Sequence, residues 1–227
     1  MRNYSVFDII GPIMIGPSSS HTAGAARLAK VAAAISGGKI KKVDFYLHGS
    51  FAKTYRGHGT DKALVAGILG MEPWDENLKN SFEIAKDKKI EINFHSIDLE
   101  DVHPNTVKFL ITKESGSVSS IIGSSIGGGN IIIFDLDGQQ VEFKGDSPTL
   151  VTKHKDIPGI VSKITTLLYE ENINIGTIKL YRDSKGLEAT MALETDEILP
   201  QSTIEKIKAI PEIINIKIIN PIREGEL

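Results

Sequence analysis

The sequence predicts an α+β protein of two domains, and three observations carry that reading. From Thr149 to Ile219 the strand and helix signals follow the order βαββαβ, the ferredoxin-like plan. Ahead of it, two small-residue helices each follow a loop dense in hydroxyls and histidine, among runs of period-two apolar alternation that read as strands. Between the two regions, Gly145-Asp146-Ser147-Pro148 is turn chemistry, which sets domains at 1–145 and 148–222.

Composition narrows the function classes. The 227 residues are 41% hydrophobic and 24% charged with net charge −3, and acids and bases are interspersed. No basic patch argues for nucleic acid. No apolar run reaches membrane-spanning length, and Met1-Arg2-Asn3-Tyr4 does not begin a signal peptide, so a cytoplasmic protein is expected. The chain has no cysteine, which excludes disulfides, a thiol nucleophile and any thiolate ligand of its own to zinc or iron–sulfur. Its histidines lack the spacing of a metal protease, so no metal site is expected on this chain, and a histidine-only site is left open without support.

The first domain begins with an apolar piece, Ser5 to Ile15, interrupted by Gly11-Pro12. Gly16-Pro17-Ser18-Ser19-Ser20-His21-Thr22-Ala23-Gly24 follows, directly before a helix read over Ala25 to Ile35 and closed by Ser36-Gly37-Gly38. A helix amino terminus offers unpaired N–H groups and partial positive charge, a seat for a carboxylate or phosphate. Capping alone needs one such residue. The density of Ser18, Ser19, Ser20, His21 and Thr22 points to an anion-binding or active-site loop.

Val43 to His48 alternates as a half-buried strand, and a second polar loop runs from His48 to Asp61. A second small-residue helix then spans Lys62 to Leu69, with Thr60 or Asp61 as its cap. Gly57 and Gly59 flank His58, and neighbouring hydroxyls and Asp61 make His58 a candidate general base; His48 reads equally as the polar face of its strand. Asp75 caps a helix with Leu78, Phe82 and Ala85 inward. Strands follow at Ile90 to Phe94, at Thr106 to Thr112 after the His103-Pro104-Asn105 turn, at Val118 to Ile122 and at Ile131 to Leu136. The loop Gly123 to Asn130 lacks the P-loop lysine and the dinucleotide spacing, which leaves a close backbone approach or a ligand contact open. Asp137-Gly138 marks a hairpin before Val141 to Phe143.

In the second domain, Thr149 to Lys153 is a strand, and Asp156-Ile157-Pro158-Gly159 leads into a helix with Ile160, Ile164 and Leu168 inward. Strands from Asn172 to Tyr181 and from Leu187 to Leu193 flank the turn Arg182 to Gly186. Ser202 or Thr203 caps the next helix, and Ile213 to Ile219 closes the sheet. Ile214, Ile216 and Ile218 on that last strand suggest an edge that self-association would protect.

This segment, with Asp156-x-Pro158-Gly159 at its first strand–helix turn, resembles an ACT domain. The resemblance implies ACT–ACT association and a small amino-acid effector at Asp156, Pro158, Gly159 and Asn172; a plain dimerisation module is the alternative. Residues 1 to about 145 resemble the beta subunit of the iron–sulfur-dependent L-serine dehydratases. The motifs that carry this are Gly16 to Gly24, Gly49-Ser50-Phe51-Ala52, Gly57-His58-Gly59-Thr60-Asp61, His103-Pro104-Asn105-Thr106 and Ser125-Ile126-Gly127-Gly128-Gly129. The fold implied for this part is similar to the allosteric substrate-binding domain of some phosphoglycerate dehydrogenases.

The resemblance implies a lyase that converts L-serine to pyruvate and ammonia. It implies a 4Fe–4S cluster whose cysteine ligands lie on a partner alpha subunit, and a heterodimer active only when both chains are present. His58 is the implied catalytic base, and Ser18, Ser19, Ser20, His21, Thr22, Thr60 and Asp61 the implied substrate-binding residues. Some relatives carry a second histidine where this chain has Gly59. The reading from another class is a non-catalytic amino-acid sensor made of the same two domains. A pyridoxal-phosphate dehydratase fits less well, since Gly127 to Gly129 has no lysine nearby to complete such a site.

Overall fold

The computed structural model describes residues 13–182 and 184–221, and their contacts divide between Asp137 and Gly138. Most of the piece expected over Ser5 to Ile15 lies outside the described residues.

The first unit is built on β1 (Ile40–Leu47), β2 (Glu91–Ser96), β3 (Thr106–Lys113), β4 (Val118–Gly127) and β5 (Asn130–Leu136), in the spatial order β2-β1-β3-β4-β5. β2 runs parallel to β1, and the other pairs are antiparallel. Period-two alternation does its expected work. Val43, Phe45 and Leu47 of β1 are buried, as are Val107, Phe109 and Ile111 of β3, and Phe45 lies opposite Phe109 in the ladder.

A π-helical turn, Ser19–Gly24, passes directly into α1 (Ala25–Ser36). α2 (Gly49–Thr54), α3 (Thr60–Ile68) and α4 (Ser81–Asp87) follow. α1 packs on α3 and on β3, β4 and β5, burying Ala25, Ala26, Leu28, Ala29, Ala32 and Ala33. The small side chains let the two helix backbones approach, while Leu28 supplies a large buried surface, worth about 2 kcal/mol for a side chain of its size.

Three segments differ locally from the expected elements. The polar loop expected over His48 to Asp61 contains a helical turn, α2, because Thr54 donates to the Ser50 carbonyl at 2.8 Å and Tyr55 N–H reaches Phe51 O. β4 extends through Gly123, Ser124 and Ser125, which were read as loop; Ser124 Oγ and Thr106 Oγ1 lie 2.6 Å apart inside the ladder, and the chain reverses at Gly128-Gly129. The Asp75 helix is split into a 3₁₀ turn, Glu76–Asn80, which Asp75 caps at Asn77 N, and α4. Leu78 and Ala85 are buried as expected, whereas Phe82 is 38% exposed.

The second unit starts with β6 (Gln139–Phe143), after the turn in which Asp137 and Gly138 take φ of 53° and 79°. Then come β7 (Thr149–Lys155), α5 (Ile160–Glu170), β8 (Ile175–Arg182), β9 (Glu188–Thr195), α6 (Gln201–Lys208) and β10 (Ile213–Ile219). The antiparallel order β10-β7-β9-β8 is the ferredoxin-like sheet. Leu150, Met191 and Leu193 of the sheet pack against Ile160, Ile164 and Leu168 of α5 and Ile204 and Ile207 of α6.

α6 begins at Pro200 without a side-chain cap, so Ser202 and Thr203 do not cap it: both sit inside its first turn, where Thr203 is buried with its hydroxyl unpartnered among the described residues. The open apolar edge also differs from the expected one. Ile216 and Ile218 of β10 pack against the core, and the apolar side chains left open on an edge strand are Ile178 and Leu180 of β8, 41% and 47% exposed, besides Ile214.

Candidate active site

The ends of β1, β3 and β4 meet at one end of the first sheet, and their hydrogen bonds join the sequence motifs there. His48 N–H donates to Thr106 O at 3.0 Å, Ser50 N–H to Pro104 O at 2.8 Å, and Ser125 N–H to Asn105 O at 3.0 Å. Ser125 Oγ donates to the Ser20 carbonyl at 3.0 Å, and Arg27 donates to Gly129 O at 3.2 Å, which ties the serine loop to the β4–β5 reversal. Two glycines make this junction possible. A Cβ on Gly24 would collide with Ser125 Oγ, and one on Gly49 would stand 2.6 Å from the Pro104 carbonyl.

His21 is the centre of the cluster. Ser18 caps the helical run, accepting His21 N–H at 3.2 Å and lying 3.4 Å from His21 Nδ1. The other ring nitrogen, Nε2, has Ser50 Oγ and Thr54 Oγ1 each at 3.3 Å. The ring stands edge-on to Phe51, with centroids 5.1 Å apart, and 5.0 Å from the exposed ring of His58. Burial first, and the neighbouring His58 second, hold the His21 imidazole below its ordinary value of 6.5 and so favour its neutral form. His58 Nδ1 lies 3.3 Å from the Thr54 carbonyl.

The structure thus brings Ser18, His21 and His58 together and adds Ser50 and Thr54, which sequence reasoning had left without a role. Their signal was the four-residue spacing, visible only if Gly49 to Thr54 is taken as helix. Ser19 and Ser20 are half-buried in the same turn. Thr22 and Thr60 part from the expected substrate-binding set. Thr22 is 3% exposed with its hydroxyl packed under Gly16, and Thr60 is fully buried with its hydroxyl unpartnered among the described residues. Neither Thr60 nor Asp61 caps α3, which starts at Gly59 in the left-handed region. Asp61 accepts Lys62 N–H at 2.8 Å, and burial raises its carboxyl above the ordinary value. His48 accepts Leu99 N–H at Nδ1 and anchors a loop.

In the second unit, Asp156 accepts from Gly186 N–H and from Arg182 Nε, each at 2.8 Å, and these partners, the backbone donor foremost, hold its carboxyl below the usual range. Gly159 starts α5 at φ 94° with open space around it. Asn172, expected beside them, is at the opposite end of that helix, where it takes φ 56° and donates to Tyr169 O. α5 has 11 residues, so about 16 Å separates the two ends within one chain. An open groove of about 450 Å³ that sequence reasoning did not find is lined by Lys155, Ile157, Gly186, Leu187, Glu188 and Ile214.

Fold and site together define a histidine–hydroxyl domain followed by a ferredoxin-like module, and comparison with known proteins gives both parts a family. Residues 5–81 match the model of the serine dehydratase beta chain, and residues 149–212 match that of the ACT domain. The chain is 40% identical over 216 residues to a probable L-serine dehydratase beta chain of Bacillus subtilis, covering 95% of this chain and 98% of the relative. It is 40% identical over 218 residues to the L-serine dehydratase beta chain of Peptoniphilus asaccharolyticus, with 96% and 98% covered. A D-3-phosphoglycerate dehydrogenase of Methanocaldococcus jannaschii is 31% identical over 81% of this chain and 34% of its own length. The chain belongs to the serine dehydratase beta chain family. Among the described residues no helix is long and apolar enough to cross a membrane.

Proposed function

We propose that this chain is the beta subunit of an L-serine ammonia-lyase and supplies the base and part of the carboxylate seat for converting L-serine to pyruvate and ammonia. The observation that supports this best is the meeting of His58 and His21 with Ser18, Ser50 and Thr54, beside the amino-terminal end of the helical run Ser19–Ser36. The names of the two relatives agree with it.

The roles follow from the chemistry of each group. The hydroxyls of Ser19 and Ser20, with the backbone N–H groups that begin the run, bind the substrate carboxylate. His58, exposed at the mouth of the cluster, takes the α-proton. Loss of that proton and of the β-hydroxyl gives 2-aminoacrylate, which tautomerises to the imine and adds water to release ammonia and pyruvate. His21, held neutral, adds no second positive charge beside His58 as it takes the proton.

The family resemblance implies an iron–sulfur cluster, and the residues present do not fit one. The chain has no cysteine, and among the described residues no group of three or more His, Cys, Asp and Glu is placed to hold a metal ion. In this reading the cluster's ligands belong to a cysteine-bearing alpha chain, and the functional enzyme is the pair. The ACT domain takes a small amino-acid effector near Asp156, Pro158 and Gly159, through self-association.

Anaerobic co-expression with a cysteine-bearing alpha chain, followed by a pyruvate-release assay, tests the reading. The expected result is that the purified chain alone is colourless and does not deaminate serine, whereas the complex does. Turnover by the chain alone would refute the two-subunit reading. A complex that assembles with its cluster but is inert toward serine would leave the sensor reading in place.

A further inference from the structure

Thr54 ends α2 and touches both histidines of the cluster, through two different atoms. Its hydroxyl proton is committed, because Thr54 Oγ1 donates to the Ser50 carbonyl at 2.8 Å. A hydroxyl has one proton, so at 3.3 Å from His21 Nε2 the same oxygen can only accept. The proton between them therefore sits on His21 Nε2. Nδ1 of that ring is left as the acceptor, facing Ser18 Oγ at 3.4 Å, and Ser18 has a proton to give because it accepts the backbone N–H of His21. Ser50 Oγ, 3.3 Å from the same Nε2, completes the set as a second acceptor.

The other contact has the opposite outcome. The Thr54 carbonyl lies 3.3 Å from His58 Nδ1, and a carbonyl has no proton to give. His58 Nδ1 must then be the protonated nitrogen, which leaves Nε2 of the exposed ring with its lone pair. We propose that Thr54 is a positioning residue that sets the tautomers of both histidines in opposite senses, His21 protonated on Nε2 and His58 on Nδ1, so that His58 meets the substrate with an unprotonated Nε2. This rests on the reading of His58 as the base. Thr54 itself touches no reacting atom.

The test is histidine nitrogen NMR on the purified chain, at a pH where both rings are neutral. Signals are assigned with His21→Gln and His58→Gln. Long-range proton–nitrogen correlations should show His21 with its proton on Nε2 and His58 with its proton on Nδ1. Thr54→Val keeps the carbonyl and removes the hydroxyl. It should turn His21 into a mixture of tautomers while His58 stays as it was, and Thr54→Ser should keep both wild-type patterns. Finding His21 protonated on Nδ1, or His58 on Nε2, in the wild-type chain would overturn the proposal. So would Thr54→Val leaving the His21 signals untouched. The NMR measurement needs neither the partner nor serine, so a complex inert toward serine would sink the functional reading and leave the tautomers to be decided separately.

Discussion

The two units each start a helix from a turn containing histidine, aspartate or glycine, yet they build these turns in opposite ways. In the first unit the turn is closed. Ser18 caps the run, Ser125 holds the Ser20 carbonyl, and Gly24 leaves no room for a methyl group against Ser125. In the second the turn is open. Gly159 starts α5 with no side-chain cap and no atom within 4 Å of where a Cβ would stand. The difference teaches what glycine does in each place. At Gly24 it allows two elements to touch, whereas at Gly159 it permits a left-handed backbone with open space at the helix start. A closed turn fixes its own side chains, while an open one keeps a surface available.

Removing the exposed ring that faces His21 across 5.0 Å, beside the closed turn, should have the largest effect. His58→Ala in the assembled complex is expected to lower kcat by about a hundredfold to ten-thousandfold, with the melting temperature of the chain unchanged because the ring is exposed. Steady-state kinetics beside thermal denaturation check both halves.

Gly24→Ala probes the closure itself. The new methyl must displace Ser125 and with it the Ser20 carbonyl, so a loss of about 1–3 kcal/mol in urea denaturation is expected, accompanied by a fall in turnover. If turnover held while stability fell, the coupling between Ser125 and the serine loop would have no part in activity.

Gly159→Ala gives the contrast. Space is available, so only the strain of φ 94° is felt, about 1 kcal/mol, and turnover without effector should be unchanged. A turnover defect as large as that of Gly24→Ala would erase the distinction between the two turns.

The smallest effect is expected from pH. The folded His21 imidazole has its pKa below the ordinary 6.5, so below that pH the unfolded chain binds more protons than the native one. Stability from this group is therefore complete above 6.5 and is lost as the pH falls through the depressed folded value. Urea unfolding followed from pH 7.5 downward should show a steeper loss for the wild type than for His21→Gln, and equal slopes would mean that the ring is not desolvated.

Local chemistry in the sequence determined a good deal by itself. Alternating apolar residues placed β1, β3 and the ferredoxin-like strands, because a strand with one face on a core must repeat every two residues. Hydroxyls before an alanine run located the start of α1, and the Asp137-Gly138 pair located its turn. Only the tertiary structure decided which polar residues of those loops share a site. Thr22 and Thr60 have the right chemistry but are buried, while Ser50 and Thr54 reach His21 across separations of 29 and 33 residues. Such contacts depend on the antiparallel order of β1, β3 and β4, which brings distant loops to one end of the sheet, and no local pattern encodes the order in which strands pair.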